Sequence, residues 1–189
     1  LSQASAVGRP AAVRFAAPDM VVAWSDEFRG PDHPLACNVA RELGDFVIAK
    51  ADSSAAYQLA VVIDDAEMGV THIVRGDDLI DSTPRQILLY HALGLEANIP
   101  HYFHLPLVVG SDGRRLAKRH GDTRLSHYRD AGVSPGRILA LLACWSGIEV
   151  AENEIPTLTA AGLVGRFRLG RVPRQQIVFS GIPGTSPFL

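Results

Sequence analysis

Between Tyr57 and Val109 short apolar segments alternate with a capped helical stretch, and this alternation restricts the chain to an α/β sheet more than any other feature. Residues 57–63 form a nearly continuous, β-branched apolar run, which predicts a strand buried on both faces. Asp64-Asp65 ends it, and residues 66–69 are expected to make a short helical turn. Residues 71–75 predict a second strand, closed by Gly76-Asp77-Asp78. Thr83 then reads as an N-cap, with Pro84 at the first helical position and Gln86 completing a capping box. That helix carries Ile87, Leu88, Tyr90 and Leu93 and stops at Gly94. Residues 105–109 are the third expected strand. In parallel sheets ligands sit beyond the carboxyl ends of the strands. Here those ends are Asp64-Asp65, Arg75 to Asp78, and a basic segment after Val109.

The basic segment is Arg114-Arg115-Leu116-Ala117-Lys118-Arg119-His120-Gly121-Asp122. Asp112-Gly113 before it is expected to form a two-residue hairpin loop, since glycine adopts positive φ without strain. A cationic loop at a strand end is a natural phosphate contact, and a solvated surface loop is the alternative. With a net charge of -2, the chain is no globally basic nucleic-acid coat, so polyanion contact must be local. Arg114, Arg115, Lys118, Arg119, Arg124 and Arg129, with His120 and His127, supply such a patch.

Upstream, residues 12–15 and 20–24 are expected to pair as antiparallel strands, residues 25–34 to form a polar loop, and residues 46–49 to add a strand. Downstream, residues 125–131 predict a short helix ended by Gly132. Ser134-Pro135 predicts the start of an apolar helix running to Ser146. Residues 151–189 look like a small helical piece with a loose end. Cys37 and Cys144 define neither a disulfide framework nor a zinc cluster, and Cys144, inside an apolar run, is expected to be buried. With no apolar run near 18 residues and no signal peptide, a cytoplasmic protein without membrane contact is expected.

Arg75 ends an apolar strand before Gly76, where it can grip a carboxylate with two hydrogen bonds or pair with Asp64 or Asp78. Tyr57 is placed to add a hydroxyl to the same pocket. Lys118 would bring positive charge to an ATP phosphate as negative charge grows in the transition state. His101 and His104 read as packing or surface residues. Asp64-Asp65 is a potential Mg²⁺ ligand pair but reads better as a helix N-terminal cap, so no metal is assigned.

Residues 57–90, with Tyr57, Arg75-Gly76-Asp77-Asp78 and Asp81-Ser82-Thr83-Pro84-Arg85-Gln86, resemble the catalytic core of the class I glutamyl-tRNA synthetase family. Residues 104–109, residues 116–122 and Gly44-Asp45-Phe46-Val47-Ile48 extend the likeness. Within the family the chain is most similar to the truncated glutamyl-Q tRNA(Asp) synthetase branch. The resemblance implies an α/β fold: the second half of a Rossmann-like catalytic domain followed by a small helical region. It divides the chain into the end of an acceptor-side insertion (1–50), the half-domain with its loop (51–120), and a stem-contact-like region with a tail (121–189). It implies activation of L-glutamate by ATP with Mg²⁺, then transfer to the queuosine base of tRNA(Asp), by a monomer. Tyr57 and Arg75 fall on glutamate-binding positions, and Arg115, Leu116, Ala117, Lys118 and Arg119 on the ATP-binding "KMSKS" loop. Lys118 matches the second lysine and is the catalytic charge the resemblance implies; Arg115 replaces the first, and Ala117 and Arg119 replace the serines.

Two family features are not found in these residues: the "HIGH" motif and recognisable zinc-ligand cysteines, for which Cys37 is no substitute. The chain, which starts at Leu1, therefore reads as a fragment, with any zinc site upstream. It is expected not to catalyse ATP–pyrophosphate exchange alone. A glutamyl-tRNA synthetase charging tRNA(Glu), and a non-catalytic glutamate- or RNA-binding module, are the other readings.

Overall fold

The computed structural model describes residues 11–30, 32, 34–116 and 124–179. They belong to two compact units, Leu1–Leu105 and Pro106–Leu189.

The first unit contains β1 (Val13–Phe15), β2 (Val21–Trp24), β3 (Leu35–Asn38), α1 (Val39–Glu42) and β4 (Phe46–Ala49). There follow α2 (Tyr57–Met68), β5 (His72–Gly76), a 3₁₀ turn at Asp77–Leu79, α3 (Ser82–Ala92), a 3₁₀ turn at Glu96–Asn98 and β6 (His101–Leu105). β1 and β2 do not pair with each other as expected. β1 runs antiparallel to β4 and β2 antiparallel to β3. Polar ties explain the choice: Asp45 accepts from the Ala17 amide at 3.0 Å and, through its carbonyl, from Arg14. Asp19 is held against α1 by two Arg41 bonds of 2.7 Å.

The expected strand at residues 57–63 is instead the start of a 12-residue helix, α2. A short apolar run does not distinguish buried strand from buried helix, and here the helical period wins. Val62 is fully buried, while Leu59, Ile63 and Ala66 stand beside it on the same side of the helix. Gly69 ends α2 at φ 66°, with the Val70 amide donating back to the Asp65 carbonyl. Asp64-Asp65 thus lies in the last turns of a helix, neither a strand end nor an N-cap.

The alternation is real across β5–α3–β6. β5 and β6 are parallel, with Arg75 in register with His104, and α3 lies between them in sequence. Val22, Val39, Phe46, Val62, Ile87, Leu88, Leu89, Tyr90 and Tyr102 form the core of this unit, with Cys37 among them. α3 ends as expected, Gly94 adopting φ 70°.

The second unit contains β7 (Val108–Val109), α4 (Leu125–Asp130), α5 (Pro135–Trp145), a 3₁₀ helix at Glu152–Thr157, α6 (Ala160–Val164), a 3₁₀ turn at Leu169–Arg171 and β8 (Ile177–Val178). β7 pairs parallel with β8. The single strand expected at residues 105–109 is therefore split, and Pro106, which has no N–H for a ladder, stands in the break. The turn after β7 is also longer than the expected Asp112-Gly113 pair. Gly110 and Arg114 close it, Gly113 donates to the Gly110 carbonyl at 2.9 Å, and Gly113 adopts φ 72°. That is a type I turn followed by a left-handed glycine, the usual three-residue hairpin loop.

α5 begins where Ser134-Pro135 predicts, the Ser134 hydroxyl accepting from the Arg137 amide at 3.4 Å. Ser134→Ala is expected to destabilise the unit by about 1 kcal/mol, read as a lower urea midpoint at unchanged m-value. Cys144 corrects an expectation: it is exposed, whereas Cys37 is buried. The apolar run of α5 passes round both faces of the helix, and Gly136 and Ala143, seven residues apart, hold the buried side.

Candidate functional site

Arg75 lies near the carboxyl end of β5, and the adjoining strand and helix surround its guanidinium with acceptors. Its Nε donates to His104 Nε2 at 3.0 Å, Nη1 to Gln86 Oε1 at 2.9 Å and Nη2 to Thr83 Oγ1 at 2.7 Å. All three partners are neutral side chains, so the bonds fix the plane of the guanidinium without cancelling its charge. An arginine has five N–H groups; these bonds leave one on each terminal nitrogen. The guanidinium also sits over the Tyr102 ring, 5.3 Å from its centroid.

The partners are themselves held. Gln86 donates to Gln58 Oε1 at 3.0 Å, and Gln58 donates to Ser82 Oγ at 3.0 Å, tying α3 to α2. His104 Nδ1 lies 2.6 Å from Asp26 Oδ2, which also accepts the His104 amide at 3.0 Å, while Asp26 Oδ1 accepts from the Arg29 amide at 2.9 Å. Both side chains of this pair are wholly buried. Because Nε2 accepts from Arg75, the ring proton belongs on Nδ1, facing the carboxylate.

Burial pushes the His104 pKa below the usual imidazole value, with Arg75 and Arg29 adding to the effect and Asp26 opposing it. The folded ring therefore refuses a proton that the unfolded chain accepts. Stability linked to His104 is present above the ordinary histidine pKa and is lost as pH falls below it.

Tyr57, at the start of α2, is about half exposed at 52%, and its hydroxyl helps hold the charge on Arg75. Burial is the largest influence on Arg75 and lowers its pKa, while Tyr102, Tyr57 and Asp65 act the other way. Burial, then neighbouring Asp64, raises the Asp65 pKa, and Arg75 opposes both. Tyr90 is pushed up to about 12, mainly by burial, and Tyr102 is raised for the same reason. Both phenols thus remain protonated at working pH. The arrangement is a cationic, planar, hydrogen-bond-fixed group beside a phenol at the end of a parallel strand, suited to holding a carboxylate.

The structure thus brings together Tyr57 and Arg75, two of the residues singled out from sequence. It reassigns Thr83 and Gln86: the helix starts at Ser82 with no side-chain cap at Asp81, and these two residues point inward to Arg75. Asp26, His104, Gln58 and Ser82 were not singled out as site residues. The alternation of buried and less buried residues along β6, which turns His104 inward with Tyr102, is the signal available for the histidine.

In the second unit Arg115 bridges to Val109, and Leu116 donates to the Val108 carbonyl at 3.0 Å. Ala117, Lys118 and Arg119 lie outside the described residues. An open cleft elsewhere in this unit is lined by Arg166, Arg168 and Arg171 with Gly147 and Glu149. Among the described residues no group of three His, Cys, Asp or Glu side chains could hold a metal ion. No described helix is long and apolar enough to cross a membrane.

Residues 1–176 match the family described as tRNA synthetases class I (E and Q), catalytic domain. A glutamyl-Q tRNA(Asp) synthetase of Symbiobacterium thermophilum is 46% identical over 171 residues, covering 90% of this chain and 50% of that protein. A glutamate–tRNA ligase of Geotalea uraniireducens is 41% identical over 174 residues, covering 92% and 35%. Among solved structures, a glutamate tRNA ligase from Elizabethkingia meningosepticum in complex with its amino acid superposes with a TM-score of 0.70 at 29% identity, covering 89% of this chain and 36% of that one. The chain thus spans half the length of the first of these relatives, or less for the others.

Proposed function

The chain belongs to the class I family of glutamate and glutamine tRNA synthetases, through their catalytic domain, and on that premise we propose that it forms part of an enzyme that activates L-glutamate with ATP and transfers it to the queuosine base of tRNA(Asp). The observation that carries this reading is Arg75. Three neutral acceptors hold its guanidinium, leaving it cationic and able to receive a glutamate carboxylate on its remaining N–H groups. Tyr57 adds a phenol beside it. Arg75 and Tyr57 bind and orient the amino acid. Another part of the enzyme brings in MgATP, a glutamate carboxylate oxygen attacks the α-phosphorus, and pyrophosphate leaves. Lys118, with Arg115, would neutralise charge building on the phosphates. The arginine-lined cleft of the second unit fits an RNA backbone, whose binding would weaken steeply with added salt. On this reading the enzyme works in the cytoplasm, and any zinc would be held by a part of the enzyme outside these residues.

The queuosine branch is preferred because the Symbiobacterium thermophilum glutamyl-Q tRNA(Asp) synthetase is 46% identical to this chain, against 41% for the Geotalea uraniireducens glutamate–tRNA ligase. Charging of tRNA(Glu) is the second reading, favoured by the likeness to solved glutamate tRNA ligases. Labelled glutamate supplied with ATP to the full-length gene product separates them. Labelling of queuosine-containing tRNA(Asp), but not of tRNA(Glu) or of tRNA(Asp) lacking queuosine, is the expected result. Labelling of tRNA(Glu) alone would replace the first reading with the second. Glutamate bound without adenylate formation would mean a non-catalytic module.

A further inference from the structure

We propose that Asp26 and His104 are positioning residues of this site: the Asp26 carboxylate holds His104 in its Nδ1–H tautomer, so that the bare Nε2 fixes the plane in which Arg75 meets its ligand. This deepens the reading of Arg75 as a carboxylate-binding residue and rests on it.

The chain of contacts is short and buried. Asp26 stands in the segment after β2, 78 residues from His104 in sequence, yet its Oδ2 takes both the backbone amide and the ring Nδ1 of that residue. The two groups are wholly buried, where an unpaired carboxylate or a misdirected ring N–H costs most. Only a ring with its proton on Nδ1 presents an acceptor to Arg75 Nε at 3.0 Å. In the other tautomer, or in the doubly protonated ring, an N–H faces an N–H and the guanidinium must turn away. Thr83 and Gln86 hold the two terminal nitrogens, but neither bonds Nε. His104 therefore fixes the one nitrogen they leave, and Asp26 keeps it in the form that accepts. The titratable or charged groups facing the imidazole are Asp26 and Arg29 from the loop after β2, Arg75 from β5, and Tyr102 from its own strand.

The test uses the full-length gene product, with steady-state KM for glutamate and for ATP measured separately. Asp26→Asn and His104→Leu are expected to raise the glutamate KM by about 10- to 100-fold with the ATP KM little changed, while the thermal midpoint falls because each change leaves a buried group unpaired. His104→Gln, whose side-chain carbonyl can accept from Nε, should recover most of the loss. In the unmutated enzyme the glutamate KM should rise as pH falls below the ordinary histidine range, and His104→Gln should lack that rise. Unaltered glutamate KM in His104→Leu, with Arg75→Gln impaired, overturns the positioning role and leaves the function of Arg75 standing. Unaltered glutamate KM in Arg75→Gln removes the carboxylate-binding reading itself. Should Asp26→Asn fail to fold, long-range ¹⁵N–¹H correlation of the unmutated imidazole decides, and a proton on Nε2 overturns the proposal.

Discussion

Arg75→Ala is expected to lower kcat/KM for glutamate in the full-length enzyme by about 2–5 kcal/mol, while the KM for ATP stays where it is. The substitution removes the cation that would pair with a buried carboxylate, and also takes a donor from His104 Nε2, Gln86 Oε1 and Thr83 Oγ1, leaving the Thr83 hydroxyl, 3.2 Å from His104 Nε2, as the donor between those two. Each unpaired buried acceptor costs about 1–3 kcal/mol, so part of the effect should appear as lost stability. Arg75→Lys separates the two contributions. It keeps the charge, but a compact ammonium cannot reach three acceptors arranged around a plane. It is therefore expected to recover little of the glutamate use. Glutamate kinetics unchanged in Arg75→Ala would take Arg75 out of the site.

Gly147→Ala should be strongly damaging to the second unit. Gly147 follows α5 at φ 70°, and a Cβ there would stand 2.2 Å from the Arg171 carbonyl oxygen. The left-handed backbone costs an alanine about 1–2 kcal/mol. Relieving a clash with main chain adds about 1–3 kcal/mol, because no side-chain rotation removes it. Gly165→Ala is the control: φ is ordinary and nothing lies within 4 Å of the added carbon. It is expected to stay within about 0.5 kcal/mol of the parent. Chemical denaturation of the two variants side by side reads the difference, and equal midpoints would mean that the 147–171 contact is not formed in solution.

The parts of this chain legible from sequence are those where local chemistry and tertiary packing agree. Ser134-Pro135 starts a helix and Gly94 follows the end of one because a capping hydroxyl or a left-handed glycine suits few other structures. Residues 57–63 misled because β-branched residues are usual in strands, while the helical period shows only when the run is followed as far as Gly69. Thr83 and Gln86 misled in another way. Their spacing imitates a capping box, but a buried arginine offers them better partners than the helix terminus does. For the candidate site, Arg75 stood out at the end of an apolar strand with Tyr57 beside it, and both fell on positions of the family motif. Asp26 did not: its contact with His104 exists only once folding brings it to a residue 78 positions away, and no local pattern records that. The basic residues from Ala117 to Asp122 lie outside the described residues.

Among the described residues β5 has β6 as its one strand partner. Along this strand Val74 is 63% exposed, although parallel strands ordinarily lie covered on both faces. An unpaired edge with an apolar side chain on it is a template for strand addition by other molecules. The strand that holds Arg75 is thus also one of the open apolar edges of the described residues.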